Sequence, residues 1–178
     1  WLMISMVLRE CEARNLCDIG CAEGMYVRRA AALGIFSIGI DYEPQRIRYA
    51  NAVSELDQDW SSGFVRMSVD KNTIGILPCF DVVLFMSVFH HMVLHQGYDA
   101  AREILRAVAR IVKKRMIFDT GGPDEPMTGK SEAMSFLSHD SDRDIIALLI
   151  ECGFKDVRTI GSAQGFGEGT KRTMFVAT

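Results

Sequence analysis

The chain has 178 residues, enough for one domain with a full core and too few for two ordinary ones. Its 48% hydrophobic and 24% charged residues describe a globular protein and exclude a disordered one. The net charge of −3 excludes a general basic field that would recruit nucleic acid or anionic lipid, while leaving room for a local basic patch.

Residues 1–8 (WLMISMVL) are apolar but far shorter than the ~20 residues that span a bilayer. They have no basic start and no small-residue cleavage site, so neither a signal peptide nor a membrane span is expected. The segment reads as the last turns of a helix lying on a sheet. Because the chain starts at Trp1, the start of that helix is expected to be missing, and an adjoining domain is expected at one end or the other. Five cysteines (Cys11, Cys17, Cys21, Cys79, Cys152) make an odd count without a C-x-x-C pair. They read as small buried hydrophobes in a reducing, cytoplasmic protein, not as a disulfide framework. Cys17 and Cys21 have no second ligand pair to complete a zinc site, and no metal is expected.

Residues 16–41 organise the rest. They read as a short apolar strand, a glycine-marked turn (Gly20, Gly24), a helix over 24–33 and a second strand, 35–40, that runs into Asp41. The turn glycines allow a tight bend and close approach of a ligand to the backbone. Asp41 follows Gly20 by 21 positions, near where a βαβ unit sets a carboxylate against ribose hydroxyls. Two turn glycines alone describe any strand–turn–helix; Asp41 in register points to a nucleoside-containing ligand. The turn lacks the glycines of a dinucleotide fingerprint. It also carries Asp18, which would repel a pyrophosphate and suits a cationic ligand.

Pro44 opens a helix over 44–57 at a position where its missing N–H costs nothing. Residues 64–69 predict a third strand, followed by Asp70. Residues 80–86 form a near-continuous apolar run, as in a strand covered on both faces. Ser87-Val88-Phe89-His90-His91-Met92 follows, then a helix over 97–113 whose apolar face is Ala101, Ile104, Leu105, Val108, Ile111 and Val112. Residues 115–119 predict a fifth strand, and Lys113, Lys114 and Arg115 read as a solvated helix end. Residues 121–136 are turn-rich and predict a lid or loop. A helix is expected from Ser141 to Cys152, with Gly153 as its stop, then strands over 156–160 and 172–177 joined by a glycine-rich link. Met3, Met6, Met67, Met86 and Met116 read as core filler. Repeated βα units ending in a β-pair predict a mainly parallel sheet with one antiparallel strand and helices on both faces.

Asp18, Gly20 and Gly24 resemble the D/E-x-G-x-G-x-G motif of class I methyltransferases that bind S-adenosylmethionine (SAM), with Ala22 at the middle glycine. The resemblance covers essentially the whole chain and implies a Rossmann-like seven-stranded sheet of order 3-2-1-4-5-7-6. It implies SAM as cofactor and S-adenosylhomocysteine (SAH) as product. Asp18, Gly20, Ala22 and Gly24 would line the methionine end, Asp41 the ribose, and Val69 or Asp70 the adenine. Tyr42 and Met86 are further candidates. The run after strand four is similar to that of methyltransferase domains modifying bacterial surface polysaccharides. It is also similar to that of enzymes modifying wobble uridine in tRNA, which share the C-G-F-x-D-x-R run at 152–158. His90 and His91 are near-neutral bases suited to deprotonating a hydroxyl. Adjacent residues point apart, so one of the two is expected to reach substrate, His90 ahead of His91; the plain alternative is a packed histidine. His91 and His95, at i and i+4, lack a third ligand for a metal. The resemblance thus implies methyl transfer to an oxygen of a small molecule, saccharide or sugar phosphate. The other readings are an RNA-modifying transferase, which the net charge disfavours, and a silent domain that keeps the fold as a binding module.

Overall fold

The computed structural model describes residues 1–122, 125, 135–136, 141–165 and 170–178. Most of the expected lid, including Met127 and Met134, and Gly167 and Gly169 of the glycine-rich link, lie outside the described residues.

The elements in order are α1 (Leu2–Glu10), β1 (Asn15–Ile19), α2 (Met25–Ala31), β2 (Phe36–Asp41), α3 (Pro44–Leu56), β3 (Ser62–Arg66), β4 (Phe80–Met86), α4 (Phe89–Gln96), α5 (Tyr98–Ile111), β5 (Val112–Asp119), α6 (Ser141–Glu151), β6 (Val157–Gln164) and β7 (Lys171–Ala177). The strands form one sheet of order β3-β2-β1-β4-β5-β7-β6. β1 to β5 are parallel, and β7 is inserted antiparallel between β5 and β6. This is the expected topology. It places the carboxyl ends of β1, β2 and β4 side by side where the strand order reverses, the general location of ligands in open α/β sheets.

Alternation along β4 shows how both faces are closed. Val82 and Leu84 join Ile4, Val7 and Leu8 of α1 and Ala30 of α2, whereas Val83 and Phe85 join α5 and α6 on the other face. Phe85, Phe89 and Phe118 interlock beneath α4, with ring centroids about 6 Å apart. α5 has the narrow apolar face that its spacing predicts: Ala101, Ile104, Leu105, Val108 and Ile111 are all buried.

Several boundaries differ from expectation, each for a local reason. The segment after β4 forms a helix of its own, α4, which Gly97 (φ +86°) separates from α5. α5 runs into β5 with no intervening residue, Val112 switching to extended backbone. Lys113, Lys114 and Arg115 therefore belong to β5, not to a helix end; Lys114 donates to the carbonyls of Cys11 and Glu12 and pairs with Asp81 at 3.3 Å. β3 ends at Arg66, leaving Val69 and Asp70 in the following turn. β6 continues to Gln164 through an irregularity at Thr159/Gly161. Met6 is 53% exposed and so is not core, while Met116 is fully buried. Cys17, Cys21 and Cys152 are buried as expected, but Cys79 is exposed and Cys11 half-buried. No described helix is long and apolar enough to cross a membrane.

Candidate functional site

Two cavities open at the carboxyl ends of the parallel strands. One, of about 260 Å³, is bordered by Asp41, Tyr42, Val69, Val88, His91 and others. The second, of about 510 Å³, is bordered by Asp18, Ala22, Tyr26, Met86, Asp119 and Arg172 among others. Gly20 and Ser87 line both, so the cavities meet where the β1 turn faces the β4 turn.

The β1 turn is built from left-handed backbone. Gly20 (φ +77°) and Gly24 (φ +74°) are both positions where a Cβ would collide, with Val88 and Phe64 respectively. Gly24 caps α2 and lines neither cavity; its role is to let the turn close. Ala22 also has positive φ, +48°, which explains physically why a glycine suits that place. Its N–H donates to Asp41 Oδ2 at 3.0 Å, tying the turn to the end of β2. An L-residue in left-handed backbone costs about 1–2 kcal/mol, partly offset by the greater unfolded-chain entropy of glycine. Ala22→Gly is thus expected to stabilise by about 0.5–1 kcal/mol and raise Tm by roughly 1–4 °C. A thermal melt checks this, and a lower Tm would show that the methyl group supports the turn.

Asp18 is 3% exposed, and among the described residues no donor reaches its carboxylate. Burial, and then the charges of Asp41 and Asp119, push its carboxyl up to about 7. An acid without a donor, facing a cavity, is poised for a cationic group. Asp41 is also buried; Oδ1 accepts the N–H of Glu43 (2.9 Å), Oδ2 that of Ala22, and Arg46 stands 3.9 Å away. A carboxylate has about four acceptor sites, so capacity remains toward the cleft. Tyr42, 69% exposed, and Val69 border the smaller cavity. Asp70 borders neither cavity: its Oδ1 accepts the N–H groups of Asn72 and Thr73, closing the turn that precedes the short 3-10 segment Ile74–Ile76.

The two histidines separate. His90 is 1% exposed, and its Nδ1 accepts the Gly121 N–H at 3.0 Å, so the ring proton sits on Nε2. Burial, then His91 and Arg172, push it down to about 3, leaving it neutral as a tie between α4 and the end of β5. His91 instead borders the smaller cavity and is also held below its ordinary value, by burial, His95, Arg172 and Arg46. The rings of His91 and His95 lie parallel, 6.5 Å apart. Among the described residues no group of three His, Cys, Asp or Glu side chains is placed to share a metal.

Ser87, Asp119 and Arg172 were not singled out by sequence reasoning as site residues. Ser87 has φ +59°, and its N–H and Oγ donate to Asp119 Oδ1 at 2.7 and 3.0 Å. Asp119 was findable as an acid closing a central parallel strand. Arg172, in a strand 53 positions further on, had no local signal.

Residues 17–118 match the family model described as a methyltransferase domain. The chain is 30% identical over 115 residues to the O-antigen chain terminator bifunctional methyltransferase/kinase WbdD of Escherichia coli, covering 64% of this chain and 16% of that protein. It is 30% identical over 129 residues to the tRNA U34 carboxymethyltransferase of Desulfotalea psychrophila, covering 68% of this chain and 37% of that protein. The chain thus spans well under half the length of these relatives. A crystal structure of WbdD superposes with a TM-score of 0.79 at 24% identity, covering 99% of this chain and 38% of that one. Magnesium protoporphyrin IX methyltransferase of Synechocystis PCC 6803, solved with bound SAM, superposes with a TM-score of 0.70 at 17% identity, covering 99% and 75%. These two likenesses concern the fold. The family match covers more than half the chain and includes the β1 turn, β2 and the β4 turn, and on that ground the chain belongs to the methyltransferase-domain family of class I SAM-dependent methyltransferases.

Proposed function

We propose that the domain binds SAM across the two cavities and directs methyl transfer to an oxygen of a small-molecule or saccharide acceptor. The observation that carries this is the pair of buried acids, Asp18 and Asp41, on either side of Gly20, one bordering each cavity. SAM, when bound, supplies a methyl group on a sulfonium, an already activated carbon. The protein then has mainly to position, exclude water and accept a proton.

Asp41 would take the ribose hydroxyls, and Val69 with Tyr42 the adenine side. Asp18 would face the cationic methionine end, with Gly20, Ala22 and Met86 shaping the wall. His91 is the better base: it is neutral and borders a cavity, whereas His90 is enclosed and its Nδ1 is occupied. SAM or SAH titrated calorimetrically into wild type and Asp41→Ala tests the cofactor half. Losing a charge-assisted hydrogen bond is expected to weaken binding about 10–100-fold. Equal affinity in both proteins would remove Asp41 from the site. A transfer assay against neutral sugars and sugar phosphates then tests the acceptor, with His91→Gln expected to lower turnover by more than it weakens SAH binding.

A second reading, an RNA acceptor, is favoured by one separate feature. A concavity of about 620 Å³ at the opposite end of the sheet is bordered by Lys113, Lys114, Arg115 and Lys155. Phosphate backbone contact would show as transfer to RNA that falls steeply with salt. Salt-independent transfer to a saccharide would decide against it.

A further inference from the structure

Ser87 is the one residue of the β4 turn that borders both cavities, and it sits in left-handed backbone without being glycine. Such a conformation persists when its surroundings over-determine it, and here they do. Its N–H donates to both the carboxylate and the backbone carbonyl of Asp119 (2.7 and 3.2 Å). Its Oγ donates to Asp119 Oδ1 and accepts from Arg172 Nη1 at 2.6 Å.

Arg172 is itself fixed. Nε and Nη2 form a fork on the two oxygens of Glu125 (2.5 and 2.6 Å), and Glu125 is 2% exposed. Nη1 also lies 3.9 Å from Asp119. Three of the five N–H groups of Arg172 are thereby committed to Glu125 and Ser87. Arg172 stands on the wall of the larger cavity, and its engaged N–H groups face protein acceptors. They reach across from β7 to the turn after β4, joining a strand of the antiparallel end of the sheet to the junction of the two cavities.

We propose that Arg172 is a positioning residue for the cofactor, acting through Ser87: the Glu125–Arg172–Ser87–Asp119 chain holds the β4 turn in the left-handed shape that keeps both cavities open to one ligand. This rests on the reading of the site as a SAM site. Its consequence is that a side chain in the last strand controls affinity without touching the bound molecule.

The test is a double-mutant cycle read by SAH calorimetry. Arg172→Met is combined with Glu125→Gln, so that no buried carboxylate is left unpaired, and Ser87→Ala forms the other side; thermal melts confirm that each variant is folded. The Arg172→Met/Glu125→Gln protein is expected to bind SAH about 10–100-fold more weakly, the range for losing a charge-assisted hydrogen bond. Adding Ser87→Ala is expected to change little more, because both variants break one link. Wild-type affinity in the first variant, or losses that simply add, overturns the proposal. Arg172→Lys, which keeps the charge but not the fork, is expected to recover only part of the affinity.

Should the wild-type domain bind neither SAM nor SAH, the cofactor reading fails by itself. Amide exchange of Ser87, whose N–H is held by Asp119, in the ligand-free protein then decides the clamp. Exchange at least about tenfold faster in the Arg172→Met/Glu125→Gln protein, with β1 and β4 unchanged, supports it. Unchanged exchange refutes it.

Discussion

Replacing Gly20 by alanine is expected to remove measurable SAM and SAH binding and to destabilise the fold by about 2–4 kcal/mol. Two penalties combine. At φ +77° any L-residue is strained, by about 1–2 kcal/mol. The added Cβ would also stand 2.3 Å from Val88 Cγ2, well inside van der Waals contact. Neither side can yield cheaply. The Gly20 N–H is committed to the Ile40 carbonyl at 2.7 Å, and Val88 is β-branched, restricted at χ1, at the start of α4. Any relief moves the β1 turn or the β4 turn, and both form the walls of the cleft. Gly34→Ala is the control: Gly34 has nearly the same φ, +79°, but nothing lies within 4 Å of its Cβ position. It shares the backbone penalty and lacks the clash. Urea unfolding and SAH calorimetry on the two variants separate the terms, and Val88→Ala placed in the Gly20→Ala protein should restore part of the binding. Near wild-type affinity in Gly20→Ala alone would mean that the ligand does not pass this turn.

That contrast also shows what was legible in the sequence. Gly20, Gly24, Asp18 and Asp41 form a local pattern within one βα unit and the strand that follows, so spacing alone sets their relation. The sheet order was legible for a similar reason, since repeated βα units admit few right-handed arrangements. What sequence could not show was how tertiary contacts assign neighbouring residues. His90 and His91 are chemically identical in the chain. The pitch of α4 buries one against Gly121 and leaves the other at the cavity, reversing the preference for His90 as the residue nearer substrate. Asp70 follows the third strand as expected, but Asn72 and Thr73 offer their N–H groups first, and a local side-chain turn wins over the cleft. The link from Arg172 to Ser87 spans 85 positions and depends on β7 entering the sheet beside β5. No pattern within either segment reports it.

Asp18 makes the site sensitive to pH, and the sign follows from its environment. Its carboxyl lies at about 7 in the folded, ligand-free protein against an ordinary value of 3.8, raised by burial and by the neighbouring charges of Asp41 and Asp119. Between roughly pH 4 and 7 the folded state therefore holds a proton that the unfolded state has lost. Stability contributed by that proton is present at low pH and disappears as pH rises to about 7, by on the order of 4 kcal/mol at most. Ligand binding runs the other way. A sulfonium or ammonium beside Asp18 favours its charged form, so binding below pH 7 must expel the proton. SAM affinity is expected to rise with pH by up to about tenfold per unit between pH 5 and 7 and to level off above. Calorimetry in buffers of different ionisation enthalpy should count up to one proton released per SAM at pH 6 and almost none at pH 8. Asp18→Asn should give opposite signs in the two measurements: greater stability of the free protein at pH 8, and weaker SAM binding that has lost most of its slope. His91 is held below its ordinary value by burial and by His95, Arg172 and Arg46, which moves its titration away from the transition near pH 7. A pH-independent affinity in the wild type would show that the cationic end of the ligand lies away from Asp18. Asp41 would keep the nucleoside, and Asp18 would lose its place beside the methionine end.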